Sequence, residues 1–256
     1  MRRILRLTAL RVRRQFLDWS GAWWFTITLV ANESLGPLAG LFVWSAVFPG
    51  DPRVVSYFAA LIAVQIMTAS YENHTFSETV YQGTVSHELL QPQPVVIGPM
   101  GENLAIRLWM TLFGLPPAVL AGFLLGATYR RADLLLALPA LAGAAVLRFL
   151  YTWILALTAF WTERVHAVVT FGGMLVALLG GAVAPVSLLP GPWRAVAQVL
   201  PFHAMLGLPA DIATGAVTGP AAVAALGRGL AWIVAFTVLA AVVWRAGARR
   251  YTVVGA

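Results

Sequence analysis

The sequence lacks cysteine and lysine, and each absence excludes a class of chemistry. None of its 256 residues is Cys, so disulfides, thiolate metal sites and cysteine nucleophiles are excluded. All 17 basic residues are Arg, which also excludes a Walker A lysine, a Schiff-base lysine and a Ser-Lys dyad. The chain therefore cannot carry a P-loop ATPase of its own.

Charge of either sign is scarce, and apolar sequence is abundant. Charged residues make up 11% of the chain and hydrophobic residues 60%, with a mean hydropathy of +0.80. Average soluble domains contain about 25% charged residues. Because the apolar residues come in runs of about 20, the length of a bilayer-spanning helix, the sequence indicates an all-α polytopic membrane protein. The net charge of +7 favours the anionic inner face of the bilayer as a partner, with no nucleic acid.

The apolar runs predict six transmembrane helices after an N-terminal amphipathic helix. That helix covers residues 1–19, where Leu5, Ala9, Val12 and Phe16 form one stripe beside six arginines. The predicted spans are residues 23–48, 54–71, 104–128, 134–160, 167–189 and 226–247. We expect one membrane domain over residues 1–256.

The arginines also predict the orientation of the spans. With both termini in the cytoplasm, 11 arginines lie on the inner side and five on the outer side. The inner group comprises the six N-terminal arginines with Arg107, Arg164, Arg245, Arg249 and Arg250, and the outer group comprises Arg53, Arg130, Arg131, Arg194 and Arg228. The positive-inside rule therefore predicts cytoplasmic N and C termini. We expect the membrane to be the bacterial inner membrane.

Two segments between spans are too long for turns. Residues 73–103 form a cytoplasmic segment without any Arg, in which residues 84–91 are predicted to be a short helix ending before Pro92. Residues 190–225 form an external segment interrupted by five prolines. Since proline disfavours continuous helix, we expect short re-entrant or interfacial helices there, packed against protein.

Two ionisable residues stand out within the predicted spans, Glu33 and Arg148. At 1.5 Å per residue, Glu33 lies about 15 Å and Arg148 about 18 Å from the inner end of its span. The matching depths predict a pair, because an unpaired charge at the bilayer centre costs at least about 3 kcal/mol. Such a pair is either a structural pair or part of a translocation path, and each residue on its own would also fit an aqueous cleft.

Small residues mark one face of the fifth span. Gly173, Ala177 and Gly181 follow one another at intervals of four residues, a spacing that lets two helices approach closely in a bilayer. Internal packing and a subunit interface are both consistent with it. Elsewhere, the four histidines have no metal-binding spacing and no G-x-S-x-G elbow occurs, so we predict no catalytic, cofactor or metal site.

Three motifs, in order along the chain, resemble those of a known family. The stretch G-T-V-S-H-E-L-L-Q-P from Gly83 resembles the G-T-x-x-x-x-L-L-x-P segment that follows the second span of ABC-2-type permeases. Residues 185–190, followed by L-P-F at 200–202, resemble that family's external run after span five. The ending W-R-A-G-A-R-R-Y from Trp244, with G-A at 255–256, resembles the C-terminus of one ABC-2 permease subgroup.

The resemblance implies a six-span half-transporter. It would pair with a second permease, identical or paralogous, and be driven by two copies of an ABC ATPase that bind ATP and Mg. The loop at 73–103 would be the coupling region, with ATPase contacts from Glu78, Tyr81, Gly83, Glu88, Leu89 and Pro92. The segment at 190–225 and the turn before it would shape the outer gate through Pro185, Pro190, Pro201 and Phe202.

Two other classes of function stay open from the residues alone. An ion-coupled secondary transporter would use Glu33 and Arg148 as a relay, although one isolated acid and the lack of an inverted repeat disfavour it. A membrane assembly protein or intramembrane enzyme is the third reading, and the missing nucleophile and metal spacing disfavour the enzyme. An ATP-driven exporter of a hydrophobic or amphipathic substrate fits best.

Overall fold

Helices account for all the regular secondary structure in the part of the chain that the structure describes. The computed structural model describes residues 2–90, 94–162 and 165–250, and no strand occurs among them. The helices are α1 (Arg2–Ser20), α2 (Trp23–Val47), α3 (Pro52–Met67), α4 (Glu72–Tyr81), α5 (Val85–Leu89), α6 (Ile97–Phe113), α7 (Leu115–Leu124), α8 (Arg131–Leu157), α9 (Val165–Gly180), α10 (Gly191–Val199), α11 (Pro201–Met205), α12 (Gly207–Ala213) and α13 (Gly219–Arg250). One 3₁₀ turn, Thr158–Phe160, follows α8, and another, Val186–Leu188, lies between α9 and α10.

Several of these helices are long and apolar enough to cross a bilayer, which confirms a multi-pass membrane protein. Four segments qualify on their own: Trp23–Val47, Pro52–Tyr81, Arg131–Phe160 and Gly219–Arg250. The pair α6 and α7 qualifies as a fifth if its two helices form one bent span, and α9 is apolar but only 16 residues long. The count of six spans stays a prediction.

Two predicted spans are not single straight helices. The span at 104–128 is the pair α6 and α7, bent by 41° at Gly114, where Pro116 and Pro117 follow and supply no backbone N–H. The span at 167–189 ends early, because α9 stops at Gly180 and Gly181 adopts a φ of +98°. That left-handed conformation is open to glycine at little cost and turns the chain out of the helix.

The two long inter-span segments are largely helical. The first contains α4 and α5, and α6 already begins at Ile97, so residues 97–103 belong to a helix and not to the loop. The predicted helix at 84–91 is shorter, Val85–Leu89. The second segment, predicted to be external, contains α10, α11 and α12, and its last residues open α13 at Gly219. Prolines begin α10 and α11, where the first turn needs no donor.

The amphipathic helix α1 is present and packs on α6. Phe16 and Trp19 stack edge-on against Trp109, with ring centroids 5.1 and 5.8 Å apart. Leu10 and Leu17 remain exposed. Burial of aromatic rings favours this position, so α1 is fixed to the bundle by one face and presents apolar residues on another.

The centre of the bundle is α3, which is buried on most of its surface. Phe58 and Leu61 are fully buried and belong to a core shared with α8, α11 and α12. Here α11 and α12 pass close to the end of α9: the carbonyl oxygen of Gly180 lies 2.7 Å from where a Cβ on Gly207 would stand. Only glycine fits at this crossing.

Replacing Gly207 with Ala should therefore destabilise the protein. The added methyl group would meet the Gly180 carbonyl and the His203 ring, 2.8 Å away, at a cost of about 1–3 kcal/mol. The matched control is Gly227→Ala on α13, where nothing lies within 4 Å and Ala favours the helix. Thermal unfolding in detergent, followed by Trp fluorescence, should show a lower midpoint for Gly207→Ala alone. Equal midpoints would contradict this packing.

Candidate functional site

A group of polar and ionisable side chains is buried where α2, α6 and α8 surround the break between α3 and α4. We call this group the polar core. Its members are Glu33, Tyr71, Glu72, Asn103, Arg107, Arg148 and Thr152. In an apolar bundle such groups have to be satisfied inside the protein, so their positions are set by one another.

The structure brings Glu33 and Arg148 together. The Arg148 Nη2 atom lies 3.5 Å from the Glu33 carboxylate, and the two side chains are only 14% and 8% exposed. The Tyr71 hydroxyl donates to the other Glu33 oxygen at 2.9 Å. Arg148 also donates to the hydroxyl of Thr68 at 3.0 Å. The pair thus joins α2 to α8 and to the chain leaving α3.

A second buried acid, Glu72, opens α4. Its carboxylate accepts hydrogen bonds from the Asn103 amide on α6 and from the Thr152 hydroxyl on α8, the latter at 2.6 Å. A carboxylate in the first turn of a helix also interacts favourably with the helix dipole. Glu72 therefore ties the start of the loop helix α4 to two neighbouring spans.

A second buried base, Arg107, donates hydrogen bonds to acceptors at the break between α3 and α4. It donates to the carbonyl of Ala69 at 3.0 Å and to the Ser70 hydroxyl at 2.7 Å, and it reaches the carbonyl of Ala145 on α8 at 2.7 Å. A helix break leaves carbonyls without intrahelical donors, and a guanidinium supplies several donors in one plane. The break between Met67 and Glu72 is held open by these bonds.

Sequence reasoning missed Glu72 and Arg107. The sequence singled out Glu33 and Arg148, whereas the structure also buries Glu72, which is 2% exposed, and directs the Arg107 guanidinium into the protein. The signal that could have found them is spacing: both lie within a few residues of a predicted span end, beside buried polar neighbours.

A cavity of about 290 Å³ opens beside the polar core, between α2, α4, α8 and α9. Ten of its 16 lining residues have polar side chains, among them Glu33, Arg148 and Asn73, and the apolar ones include Leu155, Val169 and Val176. A cavity that combines apolar area with convergent polar groups has the character of a ligand site.

The small residues of span five do not share one face. Gly173 and Ala177 line the cavity, and Gly173 has open space around it. Gly181 instead lies beyond the end of α9, where the Tyr57 hydroxyl donates to its carbonyl at 3.1 Å. The close approaches on this helix involve Gly172, which meets Tyr151, and Gly180.

The loop helices have one packed face and one exposed face. Phe76, Val80 and Val85 are buried in a cluster with Trp153 of α8, and the Phe76 and Trp153 rings lie 4.5 Å apart. The exposed residues, which we call the loop face, are Glu78, Tyr81, Gln82, Thr84, His87 and Leu90.

The predicted ATPase contacts fall partly on the loop face. Glu78 accepts from Gln82 at 2.6 Å, Tyr81 is 75% exposed, and Gly83 turns the chain between α4 and α5 with a φ of +75°. Glu88 and Leu89 end α5, but their side chains lie outside the described part of the structure, as does Pro92.

The predicted outer-gate residues lie in and around α10 to α12. Pro185, Pro201 and Phe202 are buried, whereas Pro190 is exposed at the start of α10. Two indole donors hold the segment to the bundle, since Trp44 donates to the Val183 carbonyl and Trp232 to the Val199 carbonyl.

A buried His203–Asp211 pair, 2.8 Å apart, links α11 to α12. Among the residues described, no group of three His, Asp or Glu side chains could hold a metal ion.

Comparison with known proteins gives one match. A family model described as ABC-2 family transporter protein matches residues 52–255 of the chain. No curated protein and no solved structure matches.

The Glu33–Arg148 pair predicts non-additive mutational effects. Glu33→Gln or Arg148→Gln leaves the other charge buried without its counter-charge, which we expect to cost about 3–5 kcal/mol. The double variant should cost less than the two single variants together. As a control, Arg130→Gln removes an exposed charge 3.9 Å from Asp133 and should change stability by less than about 1 kcal/mol. Thermal unfolding of the four variants tests this, and strictly additive losses would rule out the pair.

Proposed function

Because the chain belongs to the ABC-2 family of transporter proteins, we propose that it is the permease subunit of an ATP-driven exporter powered by separate ATPase subunits. The match over residues 52–255 is the observation that carries the proposal. The missing lysine supports the division of labour, since the chain has no Walker A motif. ATP and Mg would be bound by the ATPase alone.

The loop face is the proposed docking surface for the ATPase. It is supported by its exposure and by the resemblance of residues 83–92 to the family's coupling segment. Its polar and aromatic groups, such as Glu78 and Tyr81, suit a groove on a soluble partner. The absence of Arg in residues 73–103 argues against adhesion of this face to anionic lipid.

The polar core offers a route by which motion of the loop helices reaches the spans. A push on α4 acts on Glu72, whose partners Asn103 and Thr152 stand on α6 and α8. The same push acts through Phe76 on Trp153 of α8. Because packed elements move as rigid bodies between discrete arrangements, displacement of α4 would shift both spans together.

The remaining parts complete an alternating-access cycle. Two permeases, identical or paralogous, and two ATPases would form the transporter. The cavity beside the polar core would receive a hydrophobic or amphipathic substrate from the inner side, and the segment around Pro185, Pro190, Pro201 and Phe202 would close the outer side. Family membership favours this cycle over an ion-coupled transporter or an assembly protein.

Two substitutions on the loop face should uncouple the transporter. Glu78→Arg with Tyr81→Ala reverses a charge and removes an aromatic contact, both at exposed positions, so the chain should fold normally. We expect stimulation of ATP hydrolysis by the permease in proteoliposomes to fall at least about tenfold, since interface aromatic residues often contribute 2 kcal/mol or more. The matched control is Gln198→Arg on the exposed face of α10, which should leave stimulation unchanged. Undiminished stimulation in the loop variant would exclude this surface as the docking site.

The orientation can be tested by thiol labelling, because the chain contains no Cys. Tyr81→Cys and Gln198→Cys each introduce a single thiol at an exposed position. With the loop face in the cytoplasm, a membrane-impermeant maleimide should label Gln198→Cys in intact cells and Tyr81→Cys only in inverted vesicles. The reverse pattern would overturn the proposed inner-membrane topology.

A further inference from the structure

One residue that lines the cavity beside the polar core carries a buried acceptor without a hydrogen-bond partner in the described part of the chain. Asn73 lines the cavity and is only 9% exposed, and its side-chain oxygen has no hydrogen-bond partner among the described residues. An unsatisfied buried acceptor costs about 1–3 kcal/mol. Because the members of the neighbouring polar core are all hydrogen-bonded, the Asn73 acceptor points to a donor supplied from outside the chain.

The two charged side chains of the cavity are farther apart than in a direct charge-assisted hydrogen bond. The distance from Arg148 Nη2 to the Glu33 carboxylate is 3.5 Å, against roughly 2.8 Å in such a bond. A ligand bearing one charge would pair with one of these residues and leave the other buried without a partner, which is costly. A ligand bearing both charges would satisfy both residues at once.

The apolar residues of the cavity favour a ligand with an apolar part. They include Leu155, Val169, Val176 and Leu206, and Gly173 has open space around it. Burial of apolar area there is favourable by about 25 cal/mol per Å². The cavity is thus matched to an amphiphile whose head group contacts the polar residues.

We propose that this cavity binds a zwitterionic amphiphile whose head group combines an N–H-bearing ammonium with an anionic group. The ammonium would lie between Glu33 and the Asn73 oxygen, and the anionic group would lie at Arg148. Asn73 distinguishes an ammonium with N–H donors from a quaternary one, which has none to give. The proposal rests on the permease function, whose substrate class it specifies.

A neighbouring cavity offers an entry path by which the head group could reach the first cavity. It measures about 240 Å³ and lies beneath α1, lined by Gln15, Trp19 and Phe25 among others. Tyr71 and His74 line both cavities. Since Tyr71 is held by its bond to Glu33, a ligand that pairs with Glu33 would release the tyrosine side chain that separates the two spaces.

Equilibrium binding to the purified full-length chain tests the proposal, with no ATPase or nucleotide present. The probes are dioctanoyl phosphatidylethanolamine, dioctanoyl phosphatidylcholine and dioctanoyl phosphatidylglycerol, measured by microscale thermophoresis. The first is zwitterionic with N–H donors, the second zwitterionic without them, and the third anionic only. We expect the ethanolamine lipid to bind at least about tenfold more tightly than the others, as one hydrogen bond to a charged donor allows.

One variant and one control identify the residue responsible. Asn73→Leu should reduce affinity for the ethanolamine lipid to that of the choline lipid without lowering the thermal midpoint, because the Asn73 side-chain oxygen has no hydrogen-bond partner among the residues that the structure describes. Gln198→Leu, on the exposed face of α10, should change neither. Equal binding of the three lipids to the unmodified chain, or full affinity in Asn73→Leu, would overturn the proposal. Neither result depends on ATPase stimulation, so failure here is distinct from failure of the permease assignment.

Discussion

The contact between Glu33 and Arg148 is the interaction on which the inner half of the bundle depends. Both side chains are largely buried, so each requires the other as its counter-charge, and the helices that carry them are brought together. Tyr71 and Thr68 then bind to the same pair, which places the break between α3 and α4 beside it. Glu72 and Arg107 extend the arrangement to α6. Two acids and two bases balance in charge within the protein.

The sequence was most informative where one physical quantity determined the outcome. Depth along a helix follows from residue number, and it placed Glu33 and Arg148 at one level. Hydropathy identified the protein as a membrane protein because a soluble domain of this size cannot bury so many apolar residues. Glu72 escaped detection because the broken helix that buries it depends on tertiary partners such as Asn103, which lie about 30 residues away in the sequence and cannot be read from local pattern.

The extent of helix in the loop and the early end of the fifth span were not predicted, for related reasons. Residues 73–103 read as a loop because they are polar, yet α4 gains its stability from Phe76 and Val80 packed on Trp153. The early end of α9 depends on one glycine conformation at Gly181, which apolar periodicity does not reveal. The bend at Gly114 had a local signal in Pro116 and Pro117, but hydropathy alone joined the two helices.

Helix length has a consequence for how the protein meets its membrane. The helix α13 has 32 residues and is about 48 Å long, against a hydrocarbon thickness of about 30 Å. Its uncharged stretch, between Arg228 and Arg245, is only about 24 Å long. Because mismatch is set by the apolar stretch and not by helix length, the two arginines would lie near the borders of the hydrocarbon layer and the ends of α13 would extend beyond it. Since α13 faces outward at residues such as Val234 and Val238 while α3 is largely buried, bilayer thickness would act on α13 through its flanking arginines, and the core around α3 is shielded from the lipid.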